Sequence, residues 1–152
     1  MFKQIVLSVA LGTLVAVAAQ ASDLDRSYVE APPGATGTAP PFSPAVTVGN
    51  TVYVSGHLGT DPKTGKVPDS AEAEAHLVLD AVKHTVEAAG LSMDDVVSVT
   101  VYSTDLALYD LFNGVYRTYF HGHYPARAFI GVAGLVRGAR LEVSAIAVKP
   151  AH

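Results

Sequence analysis

Beyond Asp110 the chain carries one acidic residue, Glu142, among five basic ones: Arg117, Arg127, Arg137, Arg140 and Lys149. A lone carboxylate in a basic, strand-forming stretch is a natural partner for arginine, whose planar fork grips a side-chain or ligand carboxylate through two parallel hydrogen bonds. Arg127 and Glu142 are therefore the first candidates for chemistry, an ordinary solvated ion pair being the plain alternative. The sequence has no cysteine. That removes disulfides, thiolate nucleophiles, Cys-ligated zinc and iron–sulfur clusters, so any reaction rests on oxygen and nitrogen groups.

Other groupings carry less. Gly59-Thr-Asp-Pro-Lys-Thr-Gly65-Lys66 imitates a phosphate loop, but its glycine spacing is one residue too long, Pro62 removes an amide donor, and Val67 stands where a magnesium-binding hydroxyl belongs. His121 and His123 offer two metal ligands with no cysteine or nearby carboxylate to complete a set, so no metal is expected. Asp94 and Asp95 are adjacent and diverge, which fits a solvated turn. No strand–turn–helix elbow presents a serine nucleophile.

The elements that position Arg127 and Glu142 follow from hydrophobic periodicity. Ala45–Val48 and Thr51–Val54 alternate on either side of Gly49-Asn50, a two-residue hairpin. Asp69 with Glu72 forms a capping box for a helix whose stripe is Ala71, Ala75, Val78, Val82, Val86 and Ala89, stopped by Gly90. Val97, Val99 and Val101 mark a third strand. Leu108, Phe112, Val115, Tyr116 and Tyr119 mark a second helix of about three turns. Residues 126–132 and 140–148 alternate again. The order β-β-α-β-α-β-β describes a two-layer α+β domain with two helices on one face of an antiparallel-dominated sheet. Strand parity assigns Ala128, Ile130 and Val132, with Leu141, Val143, Ala145 and Ala147, to the helix layer. Arg127, Phe129, Arg140, Glu142 and Ser144 then point to the uncovered face, which is also a candidate oligomer surface.

At 152 residues and 49% hydrophobic the chain is one folded domain rather than a disordered tail. A formal charge of −4 argues against sequence-independent nucleic-acid binding. Residues 1–21 have the form of a secretory signal: Lys3, an apolar run from Ile5 to Ala19, and the small-x-small site Ala19-Gln20-Ala21. The run is shorter than the roughly 20 residues that span a bilayer, so cleavage after Ala21 and a periplasmic or secreted product, free of the membrane, are expected. Residues 22–44, rich in Pro, Gly, Ser and Thr, form a lead-in arm without periodicity, and 45–152 form the domain.

Pro41-Phe-Ser-Pro44, Val48-Gly-Asn-Thr-Val-Tyr-Val-Ser-Gly56, Asp61-Pro-Lys-Thr-Gly65, Val86-Glu-Ala-Ala-Gly-Leu91, Tyr124-Pro-Ala-Arg127 and Leu141-Glu-Val-Ser-Ala-Ile-Ala-Val148 stand in an order and spacing that resemble the RidA/YjgF family of reactive-intermediate deaminases. The resemblance implies a chorismate-mutase-like subunit, a homotrimer with ligand clefts between subunits, and hydrolysis of 2-imino or 2-enamino acids to 2-oxo acids and ammonia without metal or organic cofactor. It implies that Arg127 clamps the substrate carboxylate, that Glu142 positions water, and that Ser55, Gly56 and Asn113 line the pocket. Three positions depart from the family pattern. Phe42 replaces a frequent Tyr, Phe129 a frequent Cys, and His57 a common Gln; Phe42 and Phe129 would border the substrate, while His57 is expected to be packed or solvent-facing rather than titrating. The competing reading from another class is a trimer of the same fold that binds small carboxylates, or acts as a stress holdase, without turnover. A ribonuclease or translation-inhibitor role, attached to some relatives, fits poorly with export and an acidic chain.

Overall fold

The computed structural model describes residues 25–31 and 40–150. The proposed signal and its cleavage site lie outside them. Among the described residues no helix is long and apolar enough to cross a membrane.

Six strands form one sheet: β1 Arg26–Val29, β2 Ala45–Val48, β3 Thr51–Leu58, β4 Val96–Ser103, β5 Ala126–Gly131 and β6 Leu141–Val148. Their spatial order is β1-β2-β3-β6-β4-β5. All pairs are antiparallel except β4 with β5, the parallel pair joined through α2 (Tyr109–Tyr116). The expected hairpin is present, with Val48 opposite Thr51. Gly49 takes φ 60° while Asn50 does not enter the left-handed region, the type II′ pattern that matches strand twist.

Helix α1 (Ala71–Ala88) lies on one face, and its N-cap is Ser70, whose hydroxyl accepts from Ala73 N. The sequence pointed to Asp69 instead; both residue types cap well, and Asp69 contributes its main-chain carbonyl to a different contact described below. Gly90 at φ 81° closes the helix as expected, with Gly90 N donating to Glu87 O and Leu91 N to Val86 O. The α1 residues Val78, Leu79, Val82 and Val86 bury against Val52 and Val54 of β3, Val99 and Val101 of β4 and Leu141 and Val143 of β6. Each such side chain contributes roughly 1.5–3 kcal/mol.

Three features depart from expectation. Arg26–Val29, inside the supposed arm, pairs with β2 through the register Arg26↔Val48 to Val29↔Ala45; with three of its four residues exposed, no alternation betrays it. A bulge between Val96 and Ser98 leaves Val97 exposed. The faces of β5 are the reverse of those assigned by parity. Arg127 pairs across to Val99, a core residue, and Phe129 packs on the core, whereas Ile130 is 41% exposed. Ala-x-Ile and Arg-x-Phe are both usable as inner faces on an edge strand, and the ring of Phe129 wins because it buries more area beside Phe112.

Candidate functional site

Arg127 sits on the covered side of β5, facing α2. Its Nη2 donates to Asn113 Oδ1 at 2.6 Å. Its guanidinium carbon stands 4.6 Å from the Tyr116 ring centre, 5.6 Å from Tyr109 and 5.9 Å from Phe112, within cation–π range of all three. Phe129 meets Tyr109 edge-on at 5.2 Å and Phe112 at 5.7 Å, so it braces this aromatic box from behind. A guanidinium has five N–H donors, and Asn113 is the only hydrogen-bond partner of the Arg127 side chain among the described residues. The remaining fork faces a cavity of about 310 Å³ lined by Tyr109, Asn113, Tyr116, Arg117, Tyr124 and Pro125. Such a site is shaped for a small carboxylate. The Tyr116 hydroxyl is buried and without a partner among the described residues; burial pushes it up to about 12 against the smaller opposing pull of Arg127.

Glu142 lies elsewhere. It pairs with Tyr102 of β4 and Leu58 of β3, whereas Arg127 aligns with Val99 and, across β4, with Ala145. Two strand spacings and three residues along the strand put their Cα atoms on the order of 14 Å apart, and their side chains leave opposite faces of the sheet. The expectation that both point to the uncovered side is therefore corrected for Arg127 and Phe129, and kept for Glu142. Glu142 belongs to a cleft of about 700 Å³, lined also by Phe42, Gly56, His57, Leu58, Ala81 and Arg137. Its carboxylate occupies the space that a side chain at Gly56 would need. The register between β3 and β6 shifts between Val54 and His57, and that irregularity carries Ser55 and Gly56 past the ladder beside Glu142.

The other expected residues sort as follows. Asn113 shares the Arg127 pocket; Phe42 and Gly56 share the Glu142 cleft. Ser55 is nearby, but its hydroxyl donates to Ser43 O at 2.7 Å, which ties the residues before β2 to β3 and leaves that hydroxyl's proton committed. Phe129 packs inward behind the Arg127 pocket and does not line it. His57 is packed, as expected, against Thr85 Oγ1 at 3.0 Å, and burial holds its pKa below the usual histidine value.

Sequence reasoning missed the residues that fix β6. Glu74 of α1 is fully buried, accepting from Arg140 N and Nε at 2.6 Å each and from Leu141 N at 2.9 Å. Arg140 also donates from Nη1 to Asp69 O at 2.9 Å and from Nη2 to Pro68 O. Arg140 thus turns to α1, not to the uncovered face with Glu142. A side chain at Gly59 would collide with Glu74. The signal was present: position 74 is three after Ala71 and four before Val78, inside the apolar stripe, where an acid needs a partner. Tyr109 and Tyr116 were also missed as walls of the Arg127 box.

The sequence profile of the family described as Endoribonuclease L-PSP matches residues 34–149. The chain is 43% identical over 110 residues to mouse 2-iminobutanoate/2-iminopropanoate deaminase, covering 72% of this chain and 82% of that one. It is 40% identical over 112 residues to the Escherichia coli K12 protein of the same name, covering 72% and 88%. Among solved structures, E. coli TdcF with bound serine superposes with a TM-score of 0.74 at 35% identity, covering 82% of this chain and all of that one. The matched residues take in β2 to β6, both helices and both halves of the site, and with them the chain belongs to the RidA/YjgF family.

Proposed function

We propose that this chain hydrolyses reactive 2-imino and 2-enamino acids to 2-oxo acids and ammonia, in a cleft completed between the subunits of a homotrimer. The observation that carries this reading is the division of the site. A carboxylate-shaped arginine pocket and a water-positioning glutamate cleft occupy one subunit, too far apart to act together within it. A second copy that brings its Arg127 pocket to the Glu142 cleft makes a complete site. The names of the relatives above and the serine bound to TdcF support a substrate built on an amino-acid carboxylate.

The chemistry asks little of the protein. An imine carbon is already electrophilic, so the tasks are to hold the carboxylate, place a water and manage protons. Arg127 holds the carboxylate with its free fork, held against the Tyr116 ring and fixed by Asn113. Glu142 accepts a hydrogen bond from the water and aims it at the carbon. Side chains and water suffice for each of these steps.

The test is to generate 2-iminobutyrate or 2-iminopropionate in situ with an amino-acid oxidase and follow semicarbazone formation. The deaminase suppresses the semicarbazone by consuming the imine. Unchanged semicarbazone yield with folded, trimeric protein would instead favour a trimer that binds small carboxylates without turnover. The reading also places the protein outside the cytoplasm, on the strength of the signal-like residues 1–21. Intact mass of exported material should begin at Ser22; soluble cytoplasmic protein retaining Met1 would refute export.

A further inference from the structure

We propose that the Arg127 pocket takes a ligand with two carboxylates, the second held by Arg117, so that the favoured substrates are the imines of acidic amino acids, 2-iminosuccinate and 2-iminoglutarate. The inference rests on the deaminase reading and names its substrate class. Helix α2 carries Tyr109, Asn113, Tyr116 and Arg117 at spacings that share one helical face. Arg117 closes the helix with helical backbone angles, φ −58° and ψ −26°, so the face continues onto it. All four residues line the same cavity as Arg127. Asn113 already holds Arg127 Nη2 at 2.6 Å, and Arg117 follows four residues on, about 6 Å further along the helix axis. A four- or five-carbon dicarboxylic acid suits that interval, with one carboxylate for each guanidinium.

Charge points the same way. No acidic residue lines the cavity, and neither Arg117 nor Arg127 forms an ion pair among the described residues. Two guanidinium groups around one hollow set up a field of a single sign that draws anions, and a ligand with one carboxylate answers half of it. Tyr116, beside Arg117, adds a buried hydroxyl without a partner among the described residues. Burial keeps that phenol protonated at neutral pH, so it is a donor in want of an acceptor, which a second carboxylate supplies. The ethyl group of 2-iminobutyrate offers neither Arg117 nor this hydroxyl anything to bind.

The test has a kinetic arm and a binding arm. An amino-acid oxidase generates 2-iminobutyrate in situ, and D-aspartate oxidase generates 2-iminosuccinate and 2-iminoglutarate from the matching D-amino acids. Semicarbazone formation then gives kcat/KM for each. Because Arg117 is exposed, its contact is worth about tenfold rather than more. The wild type should favour the dicarboxylic imines over 2-iminobutyrate by about that factor. Arg117→Ala should erase the preference, chiefly through KM, and Arg117→Gln, which keeps a polar side chain without the charge, should do the same. Arg117→Lys should retain part of it. In the binding arm, calorimetric titration with glutarate and butyrate, neither of which can react, should show glutarate the tighter ligand of the wild type and the two alike for Arg117→Ala. A wild type that hydrolyses imines without preferring the dicarboxylic ones, or whose preference survives in folded Arg117→Ala and Arg117→Gln, would overturn this inference and leave the deaminase reading intact. A wild type inert toward every imine would sink the deaminase reading and the substrate class with it. Titration then judges the pocket alone: glutarate bound more tightly through Arg117 would uphold the two-carboxylate site, and glutarate bound no better than butyrate would overturn it.

Discussion

At Gly56 the missing side chain leaves room for the Glu142 carboxylate. Any Cβ there meets the carboxylate of Glu142, the far end of a flexible side chain, which can swing aside at small cost. Gly56→Ala should therefore melt within about 1 kcal/mol of wild type yet lose at least tenfold in kcat, as thermal melts and the imine assay would reveal together. Arg127→Ala removes both prongs of the clamp, about 3–4 kcal/mol of binding, so kcat/KM should fall by a factor of order 10² to 10³ while sedimentation still reports the assembled protein. Arg127→Lys should recover little of it, having a point charge in place of the fork. The Tyr116 phenol, pushed up to about 12 by burial, ionises near 10 once unfolded. Its contribution to stability is full below pH 10 and is lost as pH rises from there through 12, because the unfolded chain sheds a proton that the folded chain keeps. Tyr116→Phe deletes a hydroxyl without a partner among the described residues and should flatten part of the alkaline loss in pH-resolved denaturation. The kinds of residue at this scale were legible in the sequence: an arginine and a solitary glutamate announced themselves by type and surroundings. Their directions were not, since on β5 two apolar alternations competed and only the packing of Phe129 against Phe112 decides between them.

Among the elements, α1 and β6 are coupled by more than apolar contact. Glu74 is a buried acid that caps the start of β6, satisfying two main-chain N–H groups as well as the Arg140 side chain. Arg140→Ala leaves the carboxylate buried beside backbone donors alone and should cost about 3 kcal/mol, a drop in melting temperature on the order of 10 °C for a domain of this size, readable by calorimetry. Replacing Glu74 and Arg140 together by leucine should not restore stability, although many buried ion pairs tolerate such an exchange; here the N–H groups of Arg140 and Leu141 would be left without acceptors. Because Glu142 lies one residue beyond Leu141, the clasp also sets where the cleft glutamate begins. Periodicity revealed both helices and five of the six strands. It could not reveal β1, which is short, largely exposed, and made by pairing with β2 rather than by its own pattern, nor choose between neighbouring caps at Asp69 and Ser70.

For the molecule as a whole, the decisive question is whether one subunit's Arg127 serves another's Glu142. Combining two inactive variants, Arg127→Ala and Glu142→Gln, answers it. If the sites are composite, randomly mixed trimers from equal amounts restore about one site in four, since each site draws its two halves from different chains. If each subunit works alone, the mixture stays as inactive as its components. Co-expression followed by the imine assay reads the result. Sequence periodicity could go no further than an uncovered sheet face, now seen to carry exposed Tyr53 and Ile130 with a shallow hollow between Tyr53, Ser98, Thr100 and Ser144. Whether another copy covers it is a property of two surfaces meeting, and one chain's alternation does not encode that.

The separation of Arg127 from Glu142 has a consequence for the enzyme at work. If the site is completed between subunits as proposed, its activity follows the assembly: below the concentration at which subunits remain associated, turnover is lost with the trimer. Specific activity should therefore be flat at high protein concentration and collapse on dilution, with a lag on reconcentration as subunits find one another. If the chain is also exported as proposed, into surroundings where dilution is open-ended, the strength of the subunit contacts would set the distance from its source over which it stays active.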